Sequence, residues 1–177
     1  SFKKIAVGGT PDIRVILYCG VPVMAMLRLP TNESGGRANL HQGAVAAAVD
    51  MVEGKSFGGV LRNRAVTHHP DTGERIEGFE IPGWKQLLTG AMQLGDALEM
   101  GYIGVDFVVD AVAGPVVLEA NARPGLAIQV AHRRGLKPVL DLVDKVSAEA
   151  RAGENRWELI RLLASHREQR TLWEQRK

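Results

Sequence analysis

The sequence predicts an α+β fold, with a mostly antiparallel sheet, helices packed on one side of it and a C-terminal helical pair. Three observations point there. Short β-rich runs in the first half follow one another through tight glycine turns, which joins them as antiparallel hairpins. Two more such runs lie within 103–121, around another short turn. Segments with helical period occupy 84–99 and 155–175, each with its apolar residues on one face.

The first two strands are expected at 12–19 (DIRVILYC) and 22–29 (PVMAMLRL), with Gly20 supplying a positive φ between them. A polar loop follows at 30–37 (PTNESGGR). The run 43–52 (GAVAAAVDMV) reads as a buried strand, since its valines and bracketing glycines outweigh the helix preference of its alanines. Alternation of apolar and polar residues at 60–68 predicts a half-exposed strand, and 75–79 is its expected partner across the His69-Pro70-Asp71-Thr72-Gly73 turn. This 54–81 excursion reads as an ornament rather than core. Pro82-Gly83-Trp84 opens a helix carrying Leu87, Leu88, Ala91 and Met92, stopped by Gly101. Strands at 103–110 and 115–121 come next, then a short helix at 125–134 ended by Gly135. Pro138 starts a helix with Val139, Leu142, Val143 and Val146 on one stripe. The final helix, 155–175, presents Trp157, Ile160, Leu163 and Ala164. The expected division is a lobe at 1–150 and a C-terminal helix at 151–177.

Composition narrows the class. The chain has 177 residues, 45% hydrophobic, with 22 Lys+Arg against 20 Asp+Glu, which excludes a collagenous, coiled-coil or disordered chain. Cys19 is the only cysteine, so no internal disulfide forms, and a reducing, cytoplasmic setting is the expectation. No run reaches the roughly 18 apolar residues that a membrane helix needs. Residues 151–177 hold seven Lys/Arg against four Asp/Glu, the pattern of a solvated helix face. That modest excess, with aromatics at 5%, argues against a nucleic-acid partner.

The sharpest chemical signal is Gly104-Val105-Asp106 followed by Glu119-Ala120-Asn121-Ala122-Arg123-Pro124-Gly125. On adjacent antiparallel strands Asp106 and Glu119 can meet, and Asn121 shares the face of Glu119. Carboxylates inside apolar runs are costly unless paired or metal-bound, and three hard oxygen donors suit Mg2+. Solvated carboxylates at a sheet edge are the competing explanation. The second signal is Ser34-Gly35-Gly36-Arg37-Ala38-Asn39-Leu40-His41-Gln42-Gly43. Its glycines suggest a mobile loop whose amides approach an anion, with Arg37 as a phosphate clamp; an ordinary surface turn is the competing explanation. Arg14 alternates with Ile13 and Val15 and faces the other way. His41 is expected to hydrogen-bond within its loop, His68 and His69 to be exposed turn residues, and Cys19 to be a small packed side chain.

Asp12-Ile13-Arg14, then Arg37-Ala38-Asn39-Leu40-His41-Gln42-Gly43, then Gly104-Val105-Asp106, then Glu119 through Gly125, in that order, resemble the ATP-grasp ligases. The likeness is to the ribosomal-protein glutamate ligase branch, the α-L-glutamate ligase-like proteins, and spans about 12–140. The resemblance implies an ATP-grasp C-terminal lobe in an enzyme that joins a carboxylate to an amine through an acylphosphate. It implies ATP and Mg2+ as cofactors, with two ions an option and Mn2+ a substitute. Asp106, Glu119 and Asn121 would hold the metal, Arg37 and Asn39 would contact phosphate or the acyl group, and Arg14 would lie near the same phosphates. Arg37 and Arg14 are then the catalytic candidates. Such enzymes carry a further lobe with nucleotide-binding lysines before the Asp-Ile-Arg strand, whereas eleven residues precede Asp12 here. The expectation is a C-terminal fragment of a longer ligase. Its partners would be that missing lobe and small-molecule or peptide carboxylate and amine substrates, with self-association through the exposed docking face. The 54–81 excursion departs from the glutamate-ligase pattern. Two other classes compete: a non-catalytic nucleotide- or partner-binding module that keeps the fold, and a nucleic-acid- or partner-binding helical tail on an unrelated β domain.

Overall fold

The computed structural model describes residues 2–174, with side chains described within 4–166. Among these residues one sheet is built from β1 (Asp12–Tyr18), β2 (Val21–Leu29), β3 (Val45–Val49), β4 (Ser56–Leu61), β5 (Arg64–Ala65), β6 (Tyr102–Asp110) and β7 (Gly114–Asn121). The spatial order is β5-β4-β3-β2-β1-β6-β7, with every neighbouring pair antiparallel. The helices are α1 (Trp84–Leu98), α2 (Ala127–His132), α3 (Lys137–Asp144) and α4 (Asn155–Glu174). The α+β class and the antiparallel sheet are as the sequence predicts. The last residues of the expected 151–177 helix lie outside the described residues.

The helices cover both faces rather than one. α1 packs Leu87, Leu88 and Ala91 with Ile13, Val15 and Leu17 of β1 and Phe107 of β6. On the opposite face Ile128 and Ala131 of α2 and Val139 and Val143 of α3 pack with Ile16, Met24 and Met26. The reason was written in the chain: β1 and β2 are near-continuous apolar runs, and a strand apolar on both faces needs cover on both. α4 reaches both cores, with Ile160 in the first and Leu159 and Leu163 in the second. Arg156, 6% exposed, ties it down, donating to the Asp96 carboxylate at 2.9 and 2.7 Å and to the Gly20 carbonyl at 3.0 Å.

The 54–81 segment departs most from expectation. The strand expected at 60–68 turns back at Arg62-Asn63, both at positive φ (47° and 62°), the backbone that a two-residue hairpin turn requires. The expected partner at 75–79 forms no strand; it touches its neighbours through the isolated bridge His68↔Arg75 and backbone hydrogen bonds of Ile76 to Thr67 and of Gly78 and Phe79 with Ser56. It is no ornament either, because Ile76 and Ile81 are buried in the α1-side core. His69 is buried instead of exposed. Its Nε2 faces the Pro30 carbonyl at 2.9 Å, and its Nδ1 faces the Asp71 and Thr72 amides at 3.3 Å. One imidazole thus pins the excursion to the end of β2, a use of histidine that a proline-turn motif does not reveal. α1 and α2 also stop earlier than glycine counting suggests, at Glu99 (φ 51°) and Arg133 (φ 50°).

Gly54 is the tightest joint of this segment. At φ +68°, a Cβ there would lie 2.3 Å from Trp84 Cγ, and the Trp84 indole is held by its hydrogen bond to the Met51 carbonyl at 3.1 Å. Gly54→Ala combines left-handed strain with overpacking and should lower unfolding stability by roughly 3 kcal/mol, read from the urea midpoint. A loss below about 1 kcal/mol would mean that Trp84 moves aside at little cost.

Candidate functional site

The site is a charged row across the middle of the sheet. Register sets Asp106 opposite Arg14 between β6 and β1, and opposite Glu119 between β6 and β7. Asp12 stands opposite Arg28 between β1 and β2. These side chains share the face that α2 and α3 cover further along, since Arg14 alternates with Ile13 and Val15, and Arg28 is two residues from Met26. Here, among the described residues, the α-helices contribute only Ala127 at the start of α2 to the cleft over them. A cleft of about 470 Å³ opens over Asp12, Arg14, Arg28, Asp106 and Glu119, and Asn39 and His41 stand on its other wall.

Asp106, 4% exposed, is the hub. Arg14 grips it in two places, Nε on Oδ1 at 2.7 Å and Nη2 on Oδ2 at 2.6 Å, and Arg28 adds a bond to Oδ2 at 2.7 Å. Arg28 also forks onto both oxygens of Asp12. Burial pushes the Asp106 carboxyl up, but the bonds and charges of Arg14 and Arg28 outweigh it and hold its pKa below the ordinary carboxylate value. Asp12 goes the other way. Burial lifts it to about 6, with Arg28 only partly opposing.

The expected metal set is Asp106, Glu119 and Asn121. Arg14 Nη2 lies 2.6 Å from Asp106 Oδ2 and 3.7 Å from Glu119 Oε1. The two carboxylates thus face one shared cation, here a guanidinium. Asn121 lies opposite Gly104, two residues from Glu119 on the same strand, and its Oδ1 accepts the Arg123 amide at 2.8 Å. Among the described residues no three His, Cys, Asp or Glu side chains gather for a metal, so the donor set is two carboxylates and an amide. The fit is sound in chemistry. Glu119 is more than half exposed, Asp106 Oδ1 accepts a single hydrogen bond among the described residues, from Arg14, and hard oxygens are what Mg2+ takes. Gly104 explains the glycine of the Gly-Val-Asp motif, because a Cβ there would sit 2.5 Å from Pro124 of the Pro-Gly turn.

Of the two readings of the second motif, an anion-approaching loop and an ordinary surface turn, the backbone forms the turn. The amides of Gly35, Gly36 and Arg37 donate to the carbonyls of Asn32, Thr31 and Ser34 at 3.1–3.2 Å. Thr31 and Ser34 cross-bond beneath them. The loop is a closed turn, and its amides are spent internally rather than offered to an anion. Arg37 is exposed and outside the residues lining the cleft. Asn39 caps the 3-10 turn Leu40–Gln42 by accepting the His41 amide at 3.0 Å, which leaves the His41 ring facing the cleft. Arg14 belongs to the carboxylates, not to a free phosphate-binding position. Arg28 and the role of Asp12 went unnoticed in sequence. The available signal was a charge inside each of two apolar strands that a hairpin places face to face.

Asp12 makes stability depend on pH. A carboxyl raised from 3.8 to about 6 by folding binds its proton more tightly in the folded chain, so its contribution is full below pH about 4 and is lost as pH rises through about 6. The loss corresponds to roughly 3 kcal/mol. Asp106, shifted downward, acts only below that window. The unfolding free energy of wild type relative to Asp12→Asn should therefore fall between pH 4 and 6.5. Parallel profiles for the two proteins would contradict this.

No curated protein matches the chain. The family model of sugar-transfer associated ATP-grasp matches residues 1–145. That span carries the whole sheet, the charged row and both motifs. The chain belongs to the sugar-transfer associated ATP-grasp family, whose fold marks an ATP-dependent, ligase-like enzyme.

Proposed function

We propose that this chain carries the metal-binding part of an ATP- and Mg2+-dependent carboxylate–amine ligase of the glutamate-ligase-like kind. The observation that carries the reading is the shared cation position between Asp106 and Glu119, at 2.6 and 3.7 Å from one guanidinium nitrogen. In the proposed reaction an oxygen of the acid attacks the terminal phosphorus of ATP, and the bond to the ADP oxygen breaks. The amine nitrogen then attacks the acyl carbon and loses a proton, and phosphate leaves with the former carboxylate oxygen.

Asp106, Glu119 and Asn121 would hold Mg2+, which when bound supplies positive charge against the phosphates. The chain's own residues do the positioning. Arg14 and Arg28 keep the Asp106 carboxylate ionised and fixed in direction. Arg37, exposed on the loop that leads into the cleft-lining Ala38 and Asn39, is a cation offered to phosphate oxygens, and Asn39 fixes the backbone that presents His41. No side-chain nucleophile is required, because the chemistry is positioning and charge neutralisation.

A specific observation favours one competing reading. With Asp106 already gripped by two arginines, a module that binds nucleotide without metal and without turnover would need no change at this site. Thermal shift separates the two. Mg2+ with nucleotide should raise the melting temperature by a few degrees through mass action, and Glu119→Gln should abolish the metal-dependent part. Equal shifts in both proteins would sink the metal assignment. Arg37→Lys keeps charge but loses the planar fork, so turnover should fall on the order of 10²-fold. Near-normal turnover would return Arg37 to an ordinary surface role.

A further inference from the structure

The charged cleft does not end at His41. A second cleft of about 690 Å³ continues from it, sharing Leu40, His41, Gly125 and Ala127. Its walls are apolar. Val60 at the end of β4 is buried, and Leu126 and Val130 around α2 are 58% and 38% exposed. Arg62 on its rim is paired with Glu33. This cleft alone is of the size that holds a small organic molecule.

The end it joins decides what charge that molecule carries. Asp12, Asp106 and Glu119 stand there against Arg14 and Arg28, an excess of one carboxylate among the described residues. Both arginines are largely buried and turned onto carboxylates, Arg14 onto Asp106 and Arg28 onto Asp12 and Asp106. Glu119 is the exposed member, and its Oε1 lies 3.7 Å from Arg14 Nη2, too far for a hydrogen bond. The joined clefts therefore offer negative charge to a ligand and keep their positive charge occupied. A magnesium–triphosphate complex is itself net negative, so loading the row preserves that sign.

We propose that the second cleft binds the apolar body of an organic ammonium ion, its charged end at the wall shared with the row, and that this ion is the amine substrate. Binding stands on the cleft and the sign of the row, whereas the role as substrate rests on the ligase reading. Of the reactants in that reading, the amine is the one whose charge the row attracts.

The test reads the methyl resonances of Val60, Leu126 and Val130 with hexylamine, hexanol and hexanoate as probes, at low salt and about pH 8, without nucleotide or metal. There an alkylamine keeps its proton, and Asp12, with its pKa at about 6, is ionised. Hexylamine should shift these methyls saturably and bind roughly fivefold or more tighter than hexanol, with hexanoate weaker than both. Butylamine should bind more weakly than hexylamine, by roughly fourfold for each methylene lost. Glu119→Gln leaves equal numbers of carboxylates and guanidiniums in the row, so hexylamine should fall to the affinity of hexanol while hexanol is unchanged. No methyl shift with hexylamine, hexanoate or hexanol binding as tightly, equal affinities for butylamine and hexylamine, or hexanol weakened as much as hexylamine in Glu119→Gln would each overturn the assignment. Hexylamine binding without the metal-dependent thermal shift described above would keep the ammonium site and remove the ligase reading. That thermal shift without hexylamine binding would keep the ligase and remove the site.

Discussion

Everything at the centre of this sheet depends on the Asp106 carboxylate being held by two guanidiniums. A charge buried to 4% exposure is tolerated only when paired and hydrogen-bonded, and removing one partner of such a pair costs about 3–5 kcal/mol. Arg14 comes from β1, Arg28 from β2 and Asp106 from β6, so the network staples three strands whose contacts are distant in sequence. It also fixes register. A slip of one residue on β1 would turn Arg14 into the α1-side core and expose Ile13 or Val15 in its place. The ion network and the hydrophobic pattern therefore enforce the same alignment, and the alignment puts Glu119 directly opposite Asp106.

Two-sided burial then decides where a site can exist. α1 covers one face, and α2 and α3 cover only part of the other. The uncovered part is where the strands carry charge, and that gap becomes the cleft. α2 borders it because the Pro124-Gly125 turn lies over Gly104, where a side chain would not fit. The motif glycine and the motif proline are thus one packing contact, and that contact sets how far α2 stands from β6.

Much of this was legible. The apolar runs, the turns and the 3.6-residue period gave the strands and helices nearly in place, because each rests on local pattern. The pairing of Asp106 with Glu119 was legible because two strands joined by a short turn admit few registers. What escaped is what depends on distant residues. Arg28 meets Asp106 across 78 positions of chain, and no local period announces that. His69 reads as a turn residue until its Nε2 is seen against Pro30, 39 positions away. The 75–79 run reads as a strand because the His69–Gly73 turn sets it opposite 60–68, but β4 turns back at Arg62-Asn63 and Ile76 packs into the core instead of extending a ladder. The glycine pair at 35–36 reads equally as an anion-approaching loop or as a plain turn, and only the carbonyls of Asn32 and Thr31, which take up its two amides, decide for the turn.

The charge count at the row bears on the metal. Arg14 and Arg28 are balanced by Asp12 and Asp106, so the buried part of the row is neutral, and Glu119 leaves the whole row negative. A row of that sign repels a triphosphate. On the ligase reading, the arginines seen at the site are therefore not what attracts the nucleotide. They neutralise Asp106 internally and hold it in place. Attraction must come from exposed cations such as Arg37 and from a divalent ion that reverses the local sign at Glu119. The partly solvated position of Glu119 is consistent with that division. A carboxylate meant to exchange partners costs less to uncover at the sheet edge, whereas one meant to stay fixed is buried and doubly bonded.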